Sequence, residues 1–124
     1  MSNGDSNNQR EQLLRRWAEV APRECRLARG MVSREPRPYA VSYKEQWLRV
    51  DLYHSPEALL LVALIEAIRA RGWDARMDID AALCQAFAVP DSPVNEQFGA
   101  SKEPCDALLA AYVAALEATK EPQP

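Results

Sequence analysis

The chain has 124 residues, 48% of them hydrophobic, and a formal net charge of −3. Those totals fit one globular domain able to bury about two-thirds of its unfolded surface, and they exclude a disordered chain. The charge is uneven. Residues 1–37 hold eight arginines against five acids, whereas residues 38–124 hold seven basic groups against thirteen acids. A basic front on an acidic body argues against a nucleic-acid-binding core and leaves a basic arm as the route to a phosphate backbone.

No apolar run approaches the ~20 residues needed to span a bilayer. The start, MSNGDSNNQREQ, lacks the hydrophobic segment of a signal peptide. Cys25, Cys84 and Cys105 are an odd number without paired spacing, as expected of reduced thiols in a cytoplasmic protein.

Residues 1–8 are polar and read as a tail. A helix is predicted over 9–20, with Leu13, Leu14, Trp17, Val20 and Ala21 as a narrow apolar stripe. Gly30, Pro36 and Pro38 mark 30–39 as a loop or extended connector. EQWLRVDLY at 45–53 alternates as a half-buried strand, with Leu48, Val50 and Leu52 on one face.

The stretch SPEALLLVALIEAIRARG at 55–72 has the signals of a helix. Ser55 stands at the N-cap, Pro56 in the first turn and Gly72 past the end. Leu61, Leu64, Ile65 and Ile68 make its stripe. Leu59, Leu60 and Val62 fall outside it, so the helix needs cover on more than one side. WDARMDI alternates again as a strand, and LCQAFAV at 83–89 fits a hairpin partner with Leu83, Phe87 and Val89 inward. A short helix over 80–88 is the alternative, because alanine is a poor strand former. Residues 90–103 read as a loop around Pro90, Pro93 and Gly99. The last helix, 104–119, carries a one-sided stripe of Cys105, Leu108, Leu109, Tyr112, Val113 and Leu116, before a tail over 120–124.

The expected fold is α+β: two or three helices packed on a small antiparallel sheet, in a single two- or three-layer domain over 9–119. YHSPEALLLVALIEAIRARGW at 53–73 and EPCDALLAAYVAALEA at 103–118 resemble the phage ABA sandwich domain family, over about the C-terminal half. The region 73–102 departs from that pattern by being more acidic and longer before the last helix. The resemblance implies a compact α/β sandwich and a phage or prophage origin. It brings no known active site, so no catalytic residue is carried over.

His54, the only histidine, could act as a base only with a nucleophile or acid nearby, and since adjacent Ser55 is taken up as a cap it reads as a surface or helix-entry residue. Asp51, Asp74, Asp78 and Asp80 could gather as oxygen ligands for a divalent ion, but they equally suit the solvated face of a strand. Cys25, His54, Cys84 and Cys105 match zinc by number and not by spacing. The arginines from Arg10 to Arg37 fit either a salt-bridged helix face or a surface for carboxylates and phosphates.

Arg15, Arg16, Arg23 and Arg26, with the aromatic residues Trp47 and Tyr53, are therefore the candidate binding residues; no catalytic residue, metal or cofactor is assigned. The leading expectation is a non-catalytic, phage- or prophage-encoded protein that binds a host or phage protein in the cytoplasm. A nucleic-acid accessory protein is the first alternative and a small metal-dependent enzyme the second. No membrane association is expected.

Overall fold

Three helices and two antiparallel sheets of three strands form the described part of this α+β chain. In the computed structural model, residues 2–27, 39–50, 55–80, 83–90 and 96–119 are described. Helix α1 (Ser2–Val20) leads into β1 (Cys25–Leu27), β2 (Tyr39–Tyr43) and β3 (Gln46–Arg49), which pair in that order. Helix α2 (Pro56–Ala70) follows. Strands β4 (Asp74–Ile79), β5 (Cys84–Val89) and β6 (Gln97–Ser101) form the second sheet, and α3 (Pro104–Thr119) closes the chain. The small antiparallel sheet of the expected fold is present as two: β1, β2 and β6, which the sequence does not mark as strands, complete a three-stranded sheet on either side.

Packing runs from the first sheet through α1 and α2 to α3, and on to the second sheet. Helix α3 is therefore the centre. From Cys105 to Leu116 only Ala110 and Ala114 escape full burial, so the expected one-sided stripe is corrected to a helix covered nearly all round. Its alanines sit where a neighbouring backbone comes close. At Gly99 on β6, an added Cβ would lie 2.6 Å from the Ala111 nitrogen and closer still to the Ala107 carbonyl oxygen. Glycine is there to let strand and helix approach, not to turn the chain. That corrects the reading of 90–103 as loop throughout: 97–101 is strand, and 91–95 lies outside the described residues.

The same close approach inverts β5. It is a strand, as the hairpin reading held, in register with β4 from Asp74–Val89 to Ile79–Cys84. The buried residues, however, are Cys84, Ala86 and Ala88, while Leu83 is exposed and Phe87 and Val89 are half-buried on the opposite face. Only the small residues fit under α3, so Phe87 and its neighbour Phe98 stack on the outside, with ring centroids 5.1 Å apart.

Helix α2 buries Leu59, Leu60, Ala63, Leu64, Ala67 and Ile68. The face is rotated from the predicted stripe, leaving Ile65 and Val62 exposed at 42% and 39%. Ser55 occupies the N-cap position without a side-chain cap bond. At the other end Gly72, at φ +75, completes a Schellman turn: Trp73 N–H donates to the Ile68 carbonyl and Gly72 N–H to the Arg69 carbonyl.

Helix α1 extends further back than its apolar stripe implies. Its backbone is helical from Ser2, through residues read as a tail, although the Ser, Asn, Asp and Gly of 2–8 are weak helix formers. The expected tail at 120–124 lies outside the described residues.

Candidate interaction site

Three ion-pair clusters engage arginines within the fold, two of them arginines of the basic front. Arg10 grips Asp106 with two bonds, Nε to Oδ1 at 2.7 Å and Nη2 to Oδ2 at 3.0 Å, and reaches Glu57 from Nη1 at 3.1 Å. Asp106 is 4% exposed, and both acids stand in the first turn of a helix, where the macrodipole favours negative charge. A backbone hydrogen bond at that helix start, together with Arg10, holds the Glu57 carboxyl below its ordinary range. One side chain thus fastens α1 to the starts of α2 and α3. Breaking a buried pair of this kind costs about 3–5 kcal/mol.

A second cluster gathers at the other end. Glu24 accepts from Trp17 Nε1 at 3.0 Å, from the Tyr112 hydroxyl at 2.7 Å and from Arg71 Nε at 3.1 Å. Trp17 and Trp73 both meet Tyr112 edge-on. Burial pushes the Tyr112 phenol up, and the bond to Glu24 adds to it. The third is on the surface, where Arg16 makes two bonds to Glu117. Arg16, a sequence candidate for binding, therefore serves α1–α3 contact, in line with the salt-bridged alternative.

Arg15 and Arg26 are placed differently. On the outer face of the first sheet the register sets Arg26 beside Ala40, and Ala40 beside Arg49, with Ser42 facing Trp47. Ala40 is small, so the Arg26 guanidinium reaches across β2 and lies 4.0 Å over the Trp47 ring. A cation held on indole at an exposed site contributes ~0.5–1 kcal/mol and fixes the orientation of both groups. Arg26 is exposed, and Trp47 and Leu27 are exposed at 36% and 43%.

Around the edge, Arg15, Ala18, Glu19, Arg26, Leu27 and Tyr39 line an open cleft of about 420 Å³ between α1 and β1. Burial pushes the Tyr39 phenol up, opposed by a hydrogen bond from Arg15. Of the sequence candidates, then, Arg15, Arg26 and Trp47 come together. Arg23 is exposed in the turn after α1, apart from the cleft lining, and Tyr53 lies outside the described residues. Leu27 and Glu19 were not singled out from sequence. Leu27 was legible only as an isolated apolar residue among arginines, and Glu19 as part of the helix charge pattern.

A larger cleft of about 560 Å³ lies along α2, lined by Tyr43, Val62, Ile65, Glu66, Arg69 and Ala70. It holds one arginine against one acid, whereas the Tyr39 cleft holds two arginines against Glu19 and so keeps a net positive charge.

The other constellations do not assemble. Cys25, Cys84 and Cys105 are free, buried and on different elements; burial pushes the Cys105 thiol up to about 12. Asp74 and Asp78 project from β4 on either side of Arg76. Asp51 and His54 lie outside the described residues, and among those described no three metal-ligating side chains cluster. No described helix is long and apolar enough to cross a membrane. Comparison with family models, curated proteins and solved structures returns no match. What fold and site define is an α+β domain with an arginine–tryptophan surface.

Proposed function

We propose that the protein is a non-catalytic interaction protein, phage- or prophage-encoded, that docks on a host or phage protein in the host cytoplasm through the Arg26–Trp47 face and the adjoining Arg15 cleft. The observation that carries the reading is the Arg26–Trp47 pair stacked on the outer face of the first sheet, with both residues exposed. Arginine and tryptophan are the residues that most often dominate protein interfaces. The stack holds them in place before docking, which lowers the ordering cost of association. Two arginines in one cleft favour an acidic partner surface, and the phage origin rests on the resemblance of 53–73 and 103–118.

A nucleic-acid role is the second reading, favoured by the same pair, since guanidinium and indole also suit phosphate and base. The acidic body of the chain opposes it, because a phosphate backbone runs on past the cleft where a local acidic patch on a protein does not. The test compares the wild type with the R15Q/R26Q/W47A variant by capture from host lysate, with and without nuclease. A protein partner that survives nuclease and is lost by a variant of unchanged circular dichroism is the expected result. Equal capture by the variant would overturn the assignment of the site. Nucleic acid alone, lost on nuclease treatment, would transfer the function to the second reading.

A further inference from the structure

The second sheet has one face under α3, made of Cys84, Ala86, Ala88 and Gly99, and one face turned outward. The register sets Arg76, Phe87 and Phe98 side by side across the middle of the outward face, with Asp74 and Asp78 on either side of Arg76 along β4. That middle row is tied together. Arg76 lies 4.4 Å over the Phe87 ring and donates to Glu96 at 3.0 Å, and the two phenyl rings are 5.1 Å apart. The guanidinium is thereby engaged within the face. Asp74 and Asp78 are exposed and make no ion pair among the described residues, so they set the charge of the β4 side. On the β6 side Phe98 is 51% exposed. The face is acidic along one strand and apolar along another, two strand spacings or ~10 Å away.

We propose that this face docks an amphipathic helix of a partner protein, with its apolar stripe on Phe98 and Phe87 and a row of lysine or arginine over Asp74 and Asp78. A helix is ~10 Å across, so one helix laid along the strands covers the step from β6 to β4. Four residues of extended strand set the two aspartates ~13 Å apart. Two turns of helix rise ~11 Å, and long basic side chains make up the difference. The charges choose the occupant. A neutral or acidic helix would take water from both aspartates and give them no partner, whereas a basic flank pairs with them.

The same two acids repel a phosphate backbone, so bases stacked on Phe98 are not the occupant. Because Arg76 and Phe87 already hold Phe98 from one side, little ordering is left to be done on docking. This surface goes beyond the Arg26–Trp47 face: it lies on the other sheet and takes a partner of opposite charge.

The test uses a labelled synthetic helix with a leucine stripe flanked by lysine, followed by fluorescence anisotropy. Two comparison peptides carry the same leucines flanked by glutamate, or the same lysines and leucines in scrambled order. The lysine-flanked helix is expected to bind at least ~tenfold tighter than either. F98A and D74N/D78N are each expected to weaken that binding at least ~tenfold. E45Q/E66Q removes the same charge at exposed sites on other elements, and is expected to change it less than ~twofold, because salt screens distant charges. Amide shifts of the isotope-labelled wild type on adding the helix give a readout that needs no variant, and are expected at Arg76, Phe87 and Phe98.

The proposal is overturned by a lysine-flanked helix that fails to bind or binds no better than the scrambled one. Unchanged binding in F98A or D74N/D78N overturns it too, as does a loss in E45Q/E66Q equal to that in D74N/D78N. Shifts confined to the first sheet also overturn it. Circular dichroism confirms that each exposed-site variant is folded.

Discussion

The two sheets solve the same packing problem in opposite ways. The first buries Cys25, Tyr39 and Val41 against α1 and α2, and carries its exposed arginine and tryptophan on the far face. The second buries Cys84, Ala86, Ala88 and Gly99 against α3 and turns Phe87 and Phe98 outward. Helices with large side chains stand off from a sheet and need large residues to fill the gap. A helix as rich in alanine as α3 comes close and has room only for small ones. Burial therefore follows the space that the neighbouring element leaves, not the size of the hydrophobe.

Substituting Gly99 breaks this comparison most severely. Gly99→Val is expected to destabilise by ~3 kcal/mol or more, because its Cβ would meet the α3 backbone, which has no rotamer to yield. At Gly72 nothing lies within 4 Å, so Gly72→Ala is expected to cost only ~1 kcal/mol, for its positive φ. Urea unfolding of both checks the contrast, and similar losses would mean that β6 is not pressed on α3.

Next in size is Val41→Ala, expected to cost ~2–3 kcal/mol at a fully buried site on the first sheet. Phe98→Ala removes the larger side chain but is expected to cost under ~1 kcal/mol, since Phe98 is 51% exposed. The same unfolding series measures both.

What the sequence revealed and what it hid follow from this difference. Helix α2 was legible in Pro56 and Gly72, α3 in its stripe, and β3 and β4 in alternation. Alternation says that a strand has two faces but not which is inward, and in β5 the larger residues pointed the wrong way. Strand β6 was hidden because Gly99 looks like a turn residue. Strand β1 has only three residues, too few for a pattern. The β2–β3 hairpin was hidden because its turn uses Lys44 and Glu45 at φ 50 and 66, where asparagine and glycine are the usual signal. At the candidate site, Arg15, Arg26 and Trp47 were legible as residue types. Their meeting was not, because it depends on those unseen strands and on the smallness of Ala40.

Two smaller effects sharpen the comparison. Burial raises the Cys25 thiol on the first sheet, with Glu24 adding to it, and raises Cys105 on α3 to about 12 from an ordinary 9.0. A raised thiol favours the protonated form in the folded state, so its stabilisation is complete below pH ~9 and is lost as pH rises toward ~12. Thermal unfolding from neutral pH upward is expected to show Tm falling in that window, and less steeply in Cys105→Ala; an identical slope would contradict the burial of Cys105. Smallest of all, Glu45→Gly is expected to stabilise by ~1 kcal/mol by relieving the left-handed backbone of the hairpin, read from the same denaturant curves.

The central claim, that the second sheet turns its aromatic face to solvent while the centre of the molecule closes over Trp17 and Tyr112, is tested most directly by hydroxyl-radical footprinting of the native protein. Phe98 and Trp47 are expected to oxidise at rates near those in the unfolded chain, with Trp17 and Tyr112 protected until the fold is lost. A protected Phe98 beside a reactive Tyr112 would contradict the account.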